Sequence, residues 1–184
     1  MRRLIMITGD LACGKSTFAQ ILSKRYGIVM LHKDKIKEIL ADTIGFSDRE
    51  ENRRLSVAAV ALMTYQFLLA TQYGQDVILE ANFKEGESEE LFNIAKKAGY
   101  ELLTLKLTAD INLIYKRFVD RIEKENRHPA HISGFDGFES LKYYIEIGRM
   151  QKTFGRTIEI SADDFSYQTD AELLSKIDEF MGQK

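Results

Sequence analysis

A chain of 184 residues with 45% apolar and 29% charged side chains has the material for one packed core, and its composition is not that of a disordered, collagenous or disulfide-stapled protein. A formal net charge of −2 gives no global attraction to nucleic acid or to an anionic membrane, so the expected partners are small molecules held by local clusters. One cysteine makes no internal disulfide and Met1-Arg2-Arg3 leads into a short apolar run without a cleavage signature, which predicts a cytoplasmic protein of one domain over 1–184.

Leu4 to Thr8 reads as a strand that ends on Gly9, and Lys15 to Arg25 has the helical spacing of Phe18, Ala19, Ile21 and Leu22. Ile28 to Leu31 is a second strand, followed at Lys33-Asp34 by a short helix with Ile36, Ile39 and Leu40 on one face. Asp48 to Tyr73 predicts a long helix closed by Gly74. Its apolar run, Leu55 to Ala70, includes Ser56, Thr64 and Gln66 and falls short of the ~20 residues of a membrane span, so a buried helix is expected. Val77 to Ala81 is a third strand, 87 to 98 a helix ending at Gly99, and Tyr100 to Leu107 a strand with Leu103, Leu105 and Leu107 alternating against Thr104 and Lys106. A helix from about Asp110 to Lys124 precedes Pro129, Gly134 and Gly137, a composition that predicts a mobile lid over about 121–137. Leu141 to Met150 (helix), Thr157 to Ile160 (strand) and Thr169 to Met181 (helix) complete the chain. Strands alternating with helices predict a three-layer α/β fold, a parallel sheet of about five strands with helices on both faces.

Gly9-Asp10-Leu11-Ala12-Cys13-Gly14-Lys15-Ser16-Thr17 satisfies G-x-x-x-x-G-K-[ST] between a predicted strand and a predicted helix. Glycines let backbone N–H groups turn toward phosphate oxygens, and the helix start adds partial positive charge. Lys15 can then reach the β- and γ-phosphates and Ser16 can ligate Mg²⁺, which makes the whole run an ATP-binding site. Cys13 is either a small filler or a thiol whose pKa is lowered by Lys15 and the helix N-terminus.

The loop, His32-Lys33-Asp34-Lys35-Ile36-Lys37, Val77-Ile78-Leu79-Glu80-Ala81-Asn82-Phe83, and Arg117-x-x-x-Arg121 leading to Arg127-His128-Pro129-x-His131 resemble the small P-loop kinases. Within that nucleoside-monophosphate-kinase-like group the chain is similar to the stand-alone kinases of the chloramphenicol phosphotransferase and zeta toxin type. The resemblance implies a P-loop NTPase fold with a small lid, ATP and Mg²⁺ as cofactors, and catalytic roles for Lys15, Asp34, Arg121 and Arg127. In it Asp34 faces the acceptor hydroxyl, Glu80 holds Mg²⁺ through water or meets the acceptor, Arg117 stacks on adenine, Arg121 contacts phosphate and Arg127 arrives on the closing lid.

Each position has a plainer reading. Asp34 suits a helix N-cap, Glu80 a strand-end carboxylate, and Arg117, Arg121 and Lys124 a solvated face interspersed with Asp120, Glu123 and Glu125. His128-x-x-His131 lacks the further ligands of a structural zinc site and is read as lid. The expected function is transfer of the γ-phosphoryl group of ATP to a hydroxyl of a small acceptor. The alternatives are a nucleoside monophosphate kinase, for which Arg49, Arg53 and Arg54 are the available cations, a toxin-like kinase acting on a sugar nucleotide, and an ATP-binding regulatory module without transfer.

Overall fold

The computed structural model describes residues 1–124, 127–131 and 135–183. The order is β1 (Arg2–Gly9), α1 (Lys15–Tyr26), β2 (Val29–His32), α2 (Lys33–Ile44), α3 (Arg49–Gln72), β3 (Val77–Glu80), α4 (Glu85–Lys97), β4 (Tyr100–Thr108), α5 (Ile111–Lys124), a 3-10 turn at Pro129–His131, α6 (Phe138–Met150), β5 (Arg156–Ser161), a second 3-10 turn at Ser166–Thr169, and α7 (Ala171–Met181). All strand pairings are parallel, and the five strands lie in the order β2-β3-β1-β4-β5.

Successive side chains on a strand point to opposite faces, so each central strand feeds two cores. Ile5, Ile7, Ile78, Leu103, Leu105 and Leu107 pack with Phe18 of α1, Ile114 of α5, Leu141 of α6 and Ile177 of α7. Leu4, Met6, Val77, Leu79 and Leu102 face the other way, against Met63 and Phe67 of α3 and Leu91 and Ala95 of α4. The expected alternation along β4 is therefore incomplete: Leu102 to Leu105 are all buried, because a central parallel strand is covered on both faces. Thr104 meets this burial by donating to the Phe154 carbonyl at 2.7 Å.

The long helix α3 differs in a second way from a buried helix. Leu55, Ala59, Met63 and Phe67, four residues apart, are buried, whereas Val57, Leu62, Tyr65 and Leu68 are exposed. By length and composition α3 could cross a membrane; here it lies along the sheet with one face inward. Asp48 caps it, accepting from the Glu51 N–H at 2.8 Å. A third small core joins α2 and α3 to the 3-10 turn at 129–131 through Ala41, Leu55 and Ala130. The Ala130 carbonyl accepts from Lys37 Nζ at 2.8 Å and Asn52 Nδ2 at 3.2 Å, which ties this part of the expected lid to the α2–α3 arm. Gly134, in the same expected lid, lies outside the described residues.

Register decides which residues meet at the C-terminal edge of the sheet. His32 stands opposite Glu80, Glu80 opposite Ile7, and Gly9 opposite Leu107. At Gly9 the backbone has φ 119°, and a Cβ there would lie 2.0 Å from the Leu107 carbonyl oxygen. Only glycine fits that approach. A Gly9→Ala substitution combines left-handed strain with a backbone clash, at a cost of about 3 kcal/mol or more. Its melting temperature should fall by at least about 6 °C in a thermal scan, and an unchanged melt would mean that β1 and β4 part freely at this point.

Candidate active site

The turn from β1 into α1 wraps a nest of backbone donors. Gly14, the N-cap of α1, is left-handed at φ 77°, and Ala12 is the non-glycine residue with positive φ, at 54°. Strain of this kind persists only when surroundings impose it, and here they grip the loop by its carbonyls. Tyr167 donates to Cys13 O at 2.7 Å, and Arg117 Nη1 lies 3.5 Å from Ala12 O. The backbone N–H groups from Leu11 through Thr17 make no hydrogen bond among the described residues. Whereas α3 and α7 begin on capping aspartates, α1 begins on glycine with no side-chain cap and no acidic residue in its first turn. An uncapped helix start with a row of open donors is suited to a phosphate chain.

Lys15 is buried, its Nζ donating to the carbonyls of Asp10 at 2.5 Å and Gly9 at 3.2 Å. Burial pushes its ammonium below the usual lysine range against the pull of Glu80 and Asp34. Ser16 Oγ lies 3.3 Å from Glu80 Oε2, and His32 Nε2 lies 2.8 Å from the same oxygen. Burial disfavours a charged His32, but the hydrogen bond to Glu80 and the charges of Glu80, Asp34 and Glu38 outweigh it and raise its pKa. A hydroxyl and a buried carboxylate this close form an oxygen donor pair that fits Mg²⁺.

Asp34 sits in the first turn of α2 and is not the cap, since that position belongs to His32. It is open to solvent, yet crowded. The crowding raises its pKa, the cations around it, His131, Lys33, His32 and Lys15, lower it further, and the carboxyl ends below the ordinary aspartate range.

Several expected contacts take another form. The Asp10 side chain turns away from the loop mouth to meet Arg149 of α6, with Nη2 at 2.6 Å and Nε at 3.0 Å from Oδ2, and it also accepts from the Ala109 N–H at 3.2 Å. The Asp10 backbone N–H is engaged as well, donating to the Leu107 carbonyl at 2.8 Å. Arg149, which donates to the Ala109 carbonyl as well, has no local sequence signal, because its partner lies 139 positions away. Arg117 holds the chain after β5, donating to Ala162 O and Asp163 O at 2.7 Å each, and its guanidinium lies 4.5 Å from the centre of the Phe165 ring. The expected adenine-stacking residue is thus already stacked on one side. Lys124 pairs with Asp120, as the plainer reading of that face has it. Arg121 is half-buried at the end of α5, and Arg127 lies 5.7 Å over the Phe118 ring. His128 is 3.0 Å from Asp42, and His131, whose pKa is lowered chiefly by burial, is 3.2 Å from Glu38 without hydrogen-bond alignment.

Beside the loop, between the sheet and α6, lies a cavity of about 590 Å³. One end is formed by Lys33 and Asn82, chain neighbours of Asp34 and Glu80, and the walls include Phe83, Tyr143, Tyr144 and Phe154. These aromatic residues are scattered in sequence and carried no motif.

This is a P-loop kinase fold, and the residues matched confirm it from an independent direction. The chain belongs to the family described as AAA domain (AAA_33), whose profile matches residues 4–137. Among solved structures it is similar to a protein provisionally described as a kinase from Chloroflexus aurantiacus j-10-fl, at 26% identity and a TM-score of 0.82, covering 100% of this chain and 98% of that one. It shares its fold with the Deinococcus radiodurans tunicamycin resistance protein, at 15% identity, a TM-score of 0.61 and coverage of 100% and 98%. The same holds for the Mycobacterium tuberculosis APS kinase in complex with AMPPNP and APS, at 16% identity, a TM-score of 0.59 and coverage of 98% of each chain. No curated protein sequence matches it.

Of the two readings of Cys13, the small filler fits and the thiol of lowered pKa does not. Cys13 is fully buried, and burial, only partly offset by Lys15, pushes its thiol up to about 11. At pH 8 about one thiol in a thousand is then ionised, by the size of that gap. A disulfide reagent such as Ellman's should modify native Cys13 orders of magnitude more slowly than the denatured chain, with or without Mg-ATP; rapid native labelling would contradict the buried placement.

Proposed function

We propose that this protein transfers the γ-phosphoryl group of ATP to a hydroxyl of a small acceptor. The observation that carries the reading is the run of N–H donors from Leu11 through Thr17 that stay open among the described residues, in the loop that holds the Lys15 ammonium by its carbonyls, with the charge of Asp34 felt at Lys15 and a large cavity lined by the neighbouring Lys33. Donors of this number serve a polyphosphate, and a carboxylate beside an accessible cavity serves a nucleophile.

In this reading the loop amides hold the β- and γ-phosphates, and Lys15 exchanges its carbonyl partners for phosphate oxygens, which restores the charge that burial opposes. Ser16 and Glu80 are the residues that would hold Mg²⁺, which supplies charge neutralisation on the phosphates. Asp34, kept ionised by its cationic neighbours, takes the proton of the acceptor hydroxyl as that oxygen bonds to the γ-phosphorus. The bond from γ-phosphorus to the bridging oxygen breaks, and ADP leaves with the electron pair. Arg121 and Arg127, at the end of α5 and just beyond it, are assigned to the charge on the transferred group. Arg117, with the 162–165 segment it holds, is assigned to the adenine side. Against a nucleoside monophosphate acceptor, Arg53 and Arg54 are both directed to Glu50 on the exposed start of α3, which leaves Arg49, in the cavity lining, as the cation of that segment for an acceptor phosphate.

Two variants separate binding from transfer. Lys15→Ala should abolish measurable Mg-AMPPNP binding in calorimetry or reduce turnover severely, and wild-type values for both would remove the loop from the mechanism. Asp34→Asn should keep nucleotide affinity within a few fold while its turnover number falls by about 10²–10⁴. Near wild-type turnover in Asp34→Asn would strip Asp34 of its role.

A further inference from the structure

The walls of the 590 Å³ cavity are of an unexpected kind for a kinase whose acceptor is a bare sugar. A surface helix normally turns polar residues outward, yet α6, which buries Leu141 and Ile145 in the core, presents Tyr143, Tyr144 and Ile147 to the cavity. Facing them are Phe83 after β3 and Phe154 before β5, the latter braced by Phe92 at 5.2 Å between ring centres. The lining also carries Lys33, Arg49 and Lys84, while three further cations in it are engaged with the protein. Arg149 is bound to Asp10, Lys106 Nζ donates to the Arg149 carbonyl at 3.0 Å, and Lys152 lies 5.2 Å over the Phe154 ring.

One polar atom in this wall is unpaid. Asn82 Oδ1 is buried with no hydrogen-bond partner, two residues after Glu80 at the end of the cavity nearest Asp34. An acceptor oxygen left so costs about 1–3 kcal/mol, which a ligand N–H or O–H placed there recovers. Tyr144 lies in the same lining; burial pushes its hydroxyl up, the Asn82 side chain beside it opposes this, and the charge of Asp34 adds to it. A molecule reaching from Asn82 along Tyr144 therefore lies beside the proposed base. The volume falls in the range of pockets that enclose drug-sized ligands.

We propose that this cavity seats the body of the phosphoryl acceptor and selects a hydroxyl compound with an aromatic or alicyclic portion against Tyr144 and Phe154 and a donor to Asn82, in preference to a small sugar that lacks such a portion. The assignment rests on the kinase reading for the word acceptor, but the cavity's preference is a binding property and is testable without transfer. Stacking a ring on Tyr144 and Phe154 adds apolar burial that a bare sugar lacks, for a gain of about 30-fold in affinity.

The probes are phenyl β-D-glucoside and D-glucose, titrated calorimetrically into the nucleotide-free protein. Phenyl glucoside should bind at least about 30-fold more tightly than glucose. Tyr144→Ala should reduce that preference about 10-fold, and Asn82→Ala should weaken phenyl glucoside about 5- to 10-fold at an unchanged melting temperature. Glucose binding as tightly as phenyl glucoside, no binding of phenyl glucoside at millimolar concentration, or variants that bind it like the wild type would each overturn the assignment. If phenyl glucoside binds as expected but Mg-ATP transfers no phosphate to it or to related ring-bearing alcohols, the cavity's selectivity stands and the transfer reading falls.

Discussion

Much of this molecule follows from one close approach, that of the Gly9 backbone to Leu107 across β1 and β4. Because no side chain fits between them, β1 runs flush with β4 to its last residue and the chain must then turn at once. Asp10 N–H closes the turn on the Leu107 carbonyl at 2.8 Å, and the residues that follow are left with donors that point to no internal partner. The same register sets Glu80 level with Ile7 and His32 level with Glu80, so Ser16, in the first turn of α1, arrives within reach of both. Loop, carboxylate and imidazole are thus consequences of strand pairing.

The loop is also held from outside the sheet. Asp10 with Arg149 and Ala109, Ala12 with Arg117, and Cys13 with Tyr167 connect it to α6, α5 and the turn after β5. Removing one partner of a buried ion pair leaves the other desolvated, so the Asp10–Arg149 contact makes α6 part of the loop's support. That helix also lines the cavity, which gives the two halves of the site a common wall.

What the sequence disclosed and what it withheld divide along the range of the interactions. The glycine loop is a local device, with its turn, its lysine and its helix start inside nine consecutive residues, so pattern and placement sufficed. The strands and helices were legible from periodicity, with the exception of β4, whose two covered faces erase alternation, and α3, whose apolar run did not reveal that one face stays exposed. Asp34 could be placed after β2, but not distinguished from a cap until His32 was seen to occupy that position. Arg149, Phe165, Tyr144 and Phe154 were invisible because each acquires its meaning from a partner brought near only by the packing of the whole sheet. The thiol of Cys13 was left undecided for the same reason: its neighbours in sequence are a lysine and a helix start, whereas its neighbours in space are the core.

The burial of that thiol has a practical side. It is the protein's single cysteine, and the chain contains no tryptophan. A cysteine introduced on an exposed position of α2 would be the one accessible thiol in the molecule and could carry a spin label or dye without any background removal. A tryptophan placed in the cavity wall would likewise be the sole indole emitter. The fold therefore comes with a silent background against which the distance between the α2–α3 arm and the glycine loop can be followed one reporter at a time.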